Sequence, residues 1–540
     1  MHFDSLESRR LMTASLLNGT LTVDGRNGMN NIAVSQSGTT LRVNDNGTIS
    51  TFSTIRVNKI WVKGKDYDDT LSASGVTIST EIDGAGGNDV ITTGFGNDTV
   101  YAGGGNDRIV SGPQTQRLVH GIGIIYDDKD FISGDAGNDT VTAGMGNDTI
   151  YGGAGDDQIS ADAGNDWVYA QDGNDVVRGG VGNDNLFGNG GNDALYGGAG
   201  TDGLYGGDGN DLLVSIGGGQ NDYNLGEAGS DSFWVDTEST EIVADIAPAE
   251  AVAGHLHRVA TFMPTTVFRN NGSVTNEVVS RELDGQSLQD PEVFSVDGST
   301  PIYSRFSGRR LFSGAGPLMT DIRQGAVGDC YYLASLSAIA KANPDKIRQS
   351  VVDLGDGTFG VQFFRNNATP TFIRVDADLP TIGGGTCYDH IPSNGAMWAA
   401  VMEKAYAFFR RLDGKYASLS SGTAAETFGP LGVASGWSWR SPFQSGSDFL
   451  NQIQGELNHG KAVTLCTPPV VIGNNWVGSH CYAVDHVVFS SNGTATDIVL
   501  RNPWGTDREG SSLDGNDDGF VTISASDVYW SWVQVDSAFV

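Results

Sequence analysis

Cys330 stands where the Gly/Asp turn of "RQGAVGDCYYLASLSAIAKANP", residues 323 to 344, gives way to an apolar run. Apolar residues recur at helical spacing through Leu333, Leu336 and Ile339 or Ala340, and Pro344 ends the pattern. This places Cys330 in the first turn of a predicted helix, where the dipole and the unsatisfied N–H groups favour thiolate over thiol. Burial alone would do the reverse, and a free cysteine is by itself most often a packing residue. Gln324, six residues earlier, can donate an amide N–H to an oxyanion beside the backbone N–H of Cys330. Far downstream, "GSHCYAVDHVVF" reads as a strand carrying His480, 150 residues after Cys330, and "DIVLRNPWG" as a strand ending at Asn502, 22 residues further on.

Cys, His, Asn is the chain order of papain-like peptidases. Within that group the resemblance is to calpains. "QGAVGDCYYLASL" resembles their Q-G-x-L-G-D-C-W-F-L-A-A-L signature, "MWAAVMEKAYAFFRRLDGKY" resembles their W-x-x-x-x-E-K-A-Y-A-K segment, and "LRNPWG" matches their asparagine motif. The likeness covers about residues 312 to 540. It implies Cys330 as nucleophile, His480 as general base and acid, Asn502 as orienter of the imidazole and Gln324 in the oxyanion hole, with Trp504 shielding the His480 to Asn502 hydrogen bond from water. It further implies a core split into a Cys-bearing helical half and a His/Asn-bearing β half, acting on a polypeptide substrate with no cofactor needed for the triad chemistry. The sequence departs from the family where G-H-A-Y becomes "SHCY" and where Tyr331-Tyr332 replace Trp-Phe.

Other polar residues compete with this set. His486 would share the strand face of His480; Cys481 alternates away from it and is expected to pack in the β half. "DGNDDGFVTISA", from Asp514, starts like an EF-hand loop but has Ala525 at its twelfth position, so a tight hairpin is expected instead. His255 and His257 in "GHLHRV" are read as ordinary polar residues.

A second chemistry lies upstream. From Gly84 the chain falls into nine-residue units such as "GNGGNDALY", with an aspartate register at Asp89, Asp98 and Asp107 and then, after an insertion, Asp139, Asp148, Asp157, Asp166, Asp175, Asp184, Asp193, Asp202 and Asp211. Two residues after each comes an aliphatic residue, from Ile91 to Leu213, never a polar one. Gly-rich turns let backbone carbonyls point inward and the aspartate adds a hard carboxylate oxygen, a donor set suited to Ca²⁺. The remainder of each unit is a short strand with its aliphatic residue inward, so two units make one coil of a parallel β-roll. The units resemble RTX repeats, G-G-x-G-x-D-x-U-x, which implies several Ca²⁺ ions in the roll and a fold that forms when they bind. Degenerate units upstream keep Asp69 with Leu71, and Ile32. The residue after each aliphatic faces outward, and Tyr151, Tyr169, Phe187 and Tyr205, each 18 residues apart, are expected to stack on one face. Such a ladder either docks the peptidase domain or an external partner, or only stiffens its own sheet.

The totals agree with a cation partner. Acidic residues outnumber basic ones 65 to 32 in a chain of 540, for a net charge of −33, which excludes nucleic acid as a partner. Four cysteines in this length are no disulfide scaffold, and no apolar run is long enough to cross a membrane. The opening "MHFDSLESRRL" resembles the LE-x-R-x-L stretch of exported planctomycete proteins, which implies an extracellular or cell-surface location. The expected organisation is therefore multidomain: an export-type segment (1–20), a degenerate β-repeat cap (21–83), a calcium-binding all-β solenoid (84–236), a linker with local structure (237–311) and an α+β papain-like core (312–540). Two alternatives remain open: a transglutaminase-like acyl transferase using the same trio, and a calcium-binding surface protein whose peptidase domain is retired.

Overall fold

The computed structural model describes residues 14–540 except 113–116, 120–121, 125–128, 218–220, 238–240, 247–254, 261, 263–264, 269–273, 278–287, 289, 297, 307–308, 314–315, 366–368, 384, 411–414, 440–443, 470–476, 507–517 and 531–532. The export-type stretch before residue 14 and the start of the EF-hand-like run at Asp514 fall outside the described residues. The chain forms two compact units that meet in sequence at Ala260 and Thr261.

The first unit is a β-solenoid. Successive nine-residue units supply strands alternately to two sheets, so that residues 18 apart pair in parallel, as in Tyr151 with Tyr169 and Phe187 with Tyr205. The inward aliphatic residues from Ile91 to Leu213 are all buried and form one continuous core. Gly-rich turns are required because the coils touch through their main chains. Gly155 has φ 132°, and a side chain there would run into the Gly137 carbonyl of the coil before it.

The roll begins before Gly84 and continues past 236. Ile32 and Leu71 sit in the same row of buried residues, and antiparallel strands Thr40–Asp45 and Thr48–Ser53 close one sheet at its N-terminal end. The expected linker contributes strands Ile242–Val243 and Leu256–Val259, which pair in parallel with the preceding coil. The segment lacks the repeat motif, yet the last coil leaves exposed strand edges that it covers. His255 and His257 belong to this closing turn: His255 Nδ1 lies 3.0 Å from the Asp231 carbonyl oxygen, and the His257 ring stacks on Trp234. Further on, Thr265–Phe268 and Val274–Glu277 pair as an antiparallel hairpin.

The outward aromatic residues stack face to face, with ring centroids 5.0 Å apart for Tyr151 and Tyr169, 4.8 Å for Tyr169 and Phe187, and 4.6 Å for Phe187 and Tyr205. The ladder extends to Phe131 and Tyr101 on one side and Tyr223 on the other. Its ring faces are spent on one another, an arrangement that stiffens the sheet carrying it.

The aspartates form a second ladder. Each Oδ1 accepts the backbone N–H of the aspartate one coil earlier, as in Asp148 to Asp166 and Asp157 to Asp175, both at 2.7 Å. Two series run through the roll, Asp98–Asp130–Asp148 onward to Asp222 and Asp89–Asp107–Asp139 onward to Asp231. Asp130, absent from the register read in the sequence, is a full rung, nine residues before Asp139 and two before buried Ile132.

The second unit holds a 13-residue helix, Cys330–Ala342, buried from Tyr331 to Ala340. One side of it packs on a six-stranded antiparallel sheet in the order Ala434–Trp439, Gln534–Phe539, Lys461–Cys466, Cys481–Phe489, Ala495–Arg501 and Phe520–Ser524. Small residues Ala462, Ala483 and Ala538 face this helix and permit the close approach, while Val463, Leu465, Tyr482 and Val484 point to a separate core beneath helix Gly446–Asn458. On its other side lies helix Trp398–Phe409, entirely buried, with Tyr406 stacked on Tyr332 at 4.1 Å. Lys404 of that helix is held by the carboxylates of Asp290 at 2.5 Å and Asp376 at 2.6 Å, which satisfies an otherwise unaffordable buried ammonium.

Burial, and secondarily repulsion between neighbouring carboxylates, pushes the roll aspartates well above the ordinary range, to about 7 for Asp139, Asp148 and Asp193 and about 8 for Asp166. The folded roll therefore binds protons that the unfolded chain releases near pH 4, so this contribution to stability is full at low pH and lost as pH rises through about 7. With divalent cations removed by EDTA, the roll is expected to melt roughly 10 °C or more higher at pH 5 than at pH 8. Hydrogen exchange of peptides from residues 130–231 during a thermal ramp checks this, and equal protection at both pH values would contradict it.

Candidate active site

Cys330 is the first residue of its helix and is partly exposed. The β half supplies the opposing wall: the Ser479 carbonyl oxygen lies 4.0 Å from Cys330 Sγ, and the Cys481 N–H donates to the sulfur. Both residues flank His480. The imidazole Nε2 lies 2.9 Å from Asn502 Oδ1. Asn502 is itself fixed, since its Oδ1 accepts the Trp504 N–H at 3.2 Å and its Nδ2 donates to the Thr506 carbonyl at 2.9 Å. That amide orientation admits only an N–H on His480 Nε2, which leaves Nδ1 as the nitrogen free to take a proton. The Trp504 indole covers the pair, 4.5 Å from the imidazole between centroids, and Tyr482 meets it edge-on.

Burial controls the charge state of both groups. It pushes the Cys330 thiol up to about 11, against the lowering effect of the Cys481, Tyr331 and Cys330 N–H groups. The helix start favours a thiolate and burial opposes it; here desolvation outweighs the helix start. Burial likewise pulls His480 down to about 4, partly offset by the bond to Asn502. A lone thiolate and a lone imidazolium are both disfavoured, whereas a proton passed from one to the other leaves two compensating charges.

Gln324 sits in the same corner with its N–H bonded to the Pro503 carbonyl at 2.7 Å. Its side-chain amide is turned inward, donating to the Val327 carbonyl at 2.6 Å and to Asp329 Oδ1 at 3.1 Å, while buried Oε1 has no hydrogen-bond partner among the described residues. Both amide protons expected for an oxyanion are thus committed elsewhere, and donation requires the terminal amide to turn over.

Beneath this corner lies a group of carboxyls that sequence reasoning left without a role. Asp329 and Glu403 lie side by side, and Asp389 accepts the Arg323 N–H at 3.1 Å. Burial raises Asp329 to about 7 and holds Asp389 and Glu403 well above the carboxylate range. The W-x-x-x-x-E-K segment pointed to them: Trp398 donates its indole N–H to Asp321 at 2.8 Å and Glu403 reaches Asp329, so one helix anchors both ends of the loop leading to Cys330.

His486 lies apart. It follows a bulge in its strand and hydrogen-bonds Asp485, which Lys341 also binds. Cys481 differs from expectation. It turns toward the Cys330 helix and forms a disulfide with Cys466, because the antiparallel register sets the two directly opposite each other. Cys330 and Cys387 remain free thiols.

In the roll, the donor set fits a hard cation. Oδ2 of Asp157, Asp184 and ten of their counterparts is buried with no hydrogen-bond partner among the described residues. A Cβ built on Gly152 would lie 2.5 Å from Asp157 Oδ2 and 2.6 Å from the Ala170 carbonyl oxygen, so orphaned carboxylate and main-chain oxygens converge where glycine leaves room. No cluster of three or more His, Cys, Asp or Glu side chains occurs among the described residues, so carbonyls must complete any such site.

Comparison with known proteins assigns both halves. Residues 304–517 match the calpain family cysteine protease model, and residues 82–114, 126–159, 151–186 and 178–213 match the RTX calcium-binding nonapeptide repeat. The chain therefore carries a calpain-family cysteine protease domain together with an RTX β-solenoid. Similar proteins include the calpain-2 catalytic subunit of Gallus gallus, 30% identical over 212 residues (36% of this chain and 29% of that protein), and calpain clp-1 of Caenorhabditis elegans, 29% identical over 212 residues (35% and 25%). The calpain-2 catalytic subunit of Homo sapiens is 29% identical over 206 residues, 35% of this chain and 28% of that protein. The chain thus spans under a third of the length of these curated relatives.

The buried carboxyl pair is checked by thermal unfolding. Glu403→Gln, which keeps the shape and can donate a hydrogen bond, is expected to leave Tm within about 2 °C, whereas Glu403→Ala, which leaves a cavity beside Asp329, lowers it by roughly 5 °C or more.

Proposed function

We propose that the chain is a cysteine endopeptidase in which Cys330 attacks a peptide carbonyl, His480 takes the thiol proton through Nδ1 and returns it to the leaving amine, and Asn502 holds the imidazole. The observation that supports this reading most directly is the His480 Nε2 to Asn502 Oδ1 bond at 2.9 Å, covered by Trp504, beside a cysteine at a helix start. Water activated by the same histidine then releases the acyl-enzyme. The Cys330 N–H and, once its amide turns, Gln324 stabilise the oxyanion.

RTX repeats bind calcium, and we assign that role to the aspartates Asp89 through Asp211 together with Asp130, Asp222 and Asp231. Calcium would neutralise carboxylates whose burial disfavours their charge, so its binding releases protons near neutral pH. The location consistent with these features is extracellular or at the cell surface: free calcium is abundant there, and the Cys466–Cys481 disulfide is a bond that oxidising compartments sustain. No helix among the described residues is long and apolar enough to cross a membrane.

Alkylation of Cys330 by a peptidyl epoxide tests the chemistry. The wild type is expected to react across neutral pH, whereas in His480→Ala reaction should climb only as pH approaches about 11 and run roughly a hundredfold or more slower at pH 7.5. Equal rates in the two chains at pH 7.5 would remove His480 from the mechanism. Calcium binding by calorimetry is expected to weaken between pH 7.5 and pH 5.5 as the carboxylates take up protons, and an unchanged affinity would contradict the aspartate assignment.

A further inference from the structure

The Cys466–Cys481 bond lies at the point where the two halves of the proposed site meet. Strands Lys461–Cys466 and Cys481–Phe489 pair over Thr464 with Ala483, Leu465 with Tyr482 and Cys466 with Cys481, and the disulfide closes the last of these pairs. His480 is the next residue. Its backbone is held by the end of the opposite strand: Thr467 N–H donates to the His480 carbonyl at 2.8 Å, and the His480 N–H donates to Thr467 Oγ1 at 3.1 Å. Ser479, immediately before it, has φ 54°, a left-handed conformation that a non-glycine residue keeps only when its surroundings impose it. Ser479 N–H donates to the Pro468 carbonyl at 3.0 Å, so the imposing residues are again those just past Cys466.

Cys481 is also the residue whose N–H reaches the Cys330 sulfur. One residue thus carries the cross-link, adjoins the base and touches the nucleophile. A ladder so short frays at its end unless tied, and fraying here would shift His480 and the Cys481 N–H together. Cys466 is partly exposed, which gives a dithiol access to the bond.

We propose that the Cys466–Cys481 disulfide is the positioning element of this site, holding His480 and the Cys481 N–H against Cys330 so that the peptidase is competent when oxidised and attenuated when reduced. The inference rests on the peptidase reading above. In reduction an external dithiol supplies two electrons and two protons; the S–S bond breaks into two thiols, and the dithiol becomes its own disulfide. Reoxidation reverses the exchange. Cys330 is unchanged throughout, so attenuation acts through the placement of His480 and not through loss of the nucleophile.

The experiment uses the full chain with calcium, hydrolysing a fluorogenic peptide in buffers set from oxidising to reducing by ratios of dithiothreitol to its cyclic disulfide. The state of Cys466 and Cys481 is read by alkylation and mass spectrometry. On reduction kcat is expected to fall roughly tenfold or more with KM changed less than about twofold, and to recover on reoxidation. The double variant Cys466→Ala/Cys481→Ala, which restores at 481 the alanine of the calpain motif, should sit at the reduced level, with an altered pH profile and no response to the thiol ratio. Full kcat in either the reduced wild type or the double variant overturns the proposal and leaves the peptidase reading intact. If the double variant fails to fold, the reversible wild-type titration decides alone. An oxidised chain that neither hydrolyses peptides nor reacts at Cys330 with the epoxide overturns the peptidase reading, and this inference with it.

Discussion

The orientation of one imidazole organises the whole second unit. Asn502 accepts from His480 Nε2 and from Trp504 N–H with the same oxygen, and this works only because Asn502 is fully buried and its own N–H is held by the Gly519 carbonyl. The strand ending at Asn502 and the strand starting after His480 must therefore be neighbours in register, which the antiparallel sheet supplies. The Cys330 helix can approach that sheet only across alanines. Its burial in turn creates the desolvation that favours the neutral thiol and imidazole.

The first unit solves a different problem with the same currency of buried polar groups. A solenoid that places an aspartate on every unit must satisfy or neutralise each carboxylate. From Asp139 to Asp222 half of each carboxylate is satisfied internally, through Oδ1 and the amide of the preceding coil, and the other oxygen is left among carbonyls; at Asp98 and Asp130 the second oxygen accepts from Gly94 N–H and Ser111 Oγ. The roll is thus built complete except for positive charge, and repetition makes that incompleteness uniform along its length.

Strong local signals were legible in the sequence. The repeat register follows from side-chain type at fixed spacing, and the Cys, His, Asn set follows from motifs whose residues stand next to one another in the chain. Features that depend on pairing between distant segments were not. Asp130 was passed over because the insertion interrupts the count, although it keeps both its nine-residue distance to Asp139 and its aliphatic partner Ile132. Ile242–Val243 and Leu256–Val259 carry no repeat motif and become strands only because a roll edge needs covering. Cys466 and Cys481 are 15 residues apart, and nothing short of the register reveals that they face each other. The balance of effects on Cys330 was not legible for a related reason: a helix start is visible in sequence, whereas the depth at which it is buried is not.

The alternation of the roll between two sheets has a consequence for how such a chain can change length. Spacings between successive rungs of 18, 20 and 32 residues all occur, so extra residues in a turn are absorbed provided the next aspartate returns to its place. Whole coils can be gained or lost on the same terms. A single nine-residue unit cannot, because it would move every later strand to the opposite sheet and break the aromatic stack in two. The number of units is therefore governed by parity: lengthening by two is silent, and lengthening by one turns the rest of the roll inside its own symmetry.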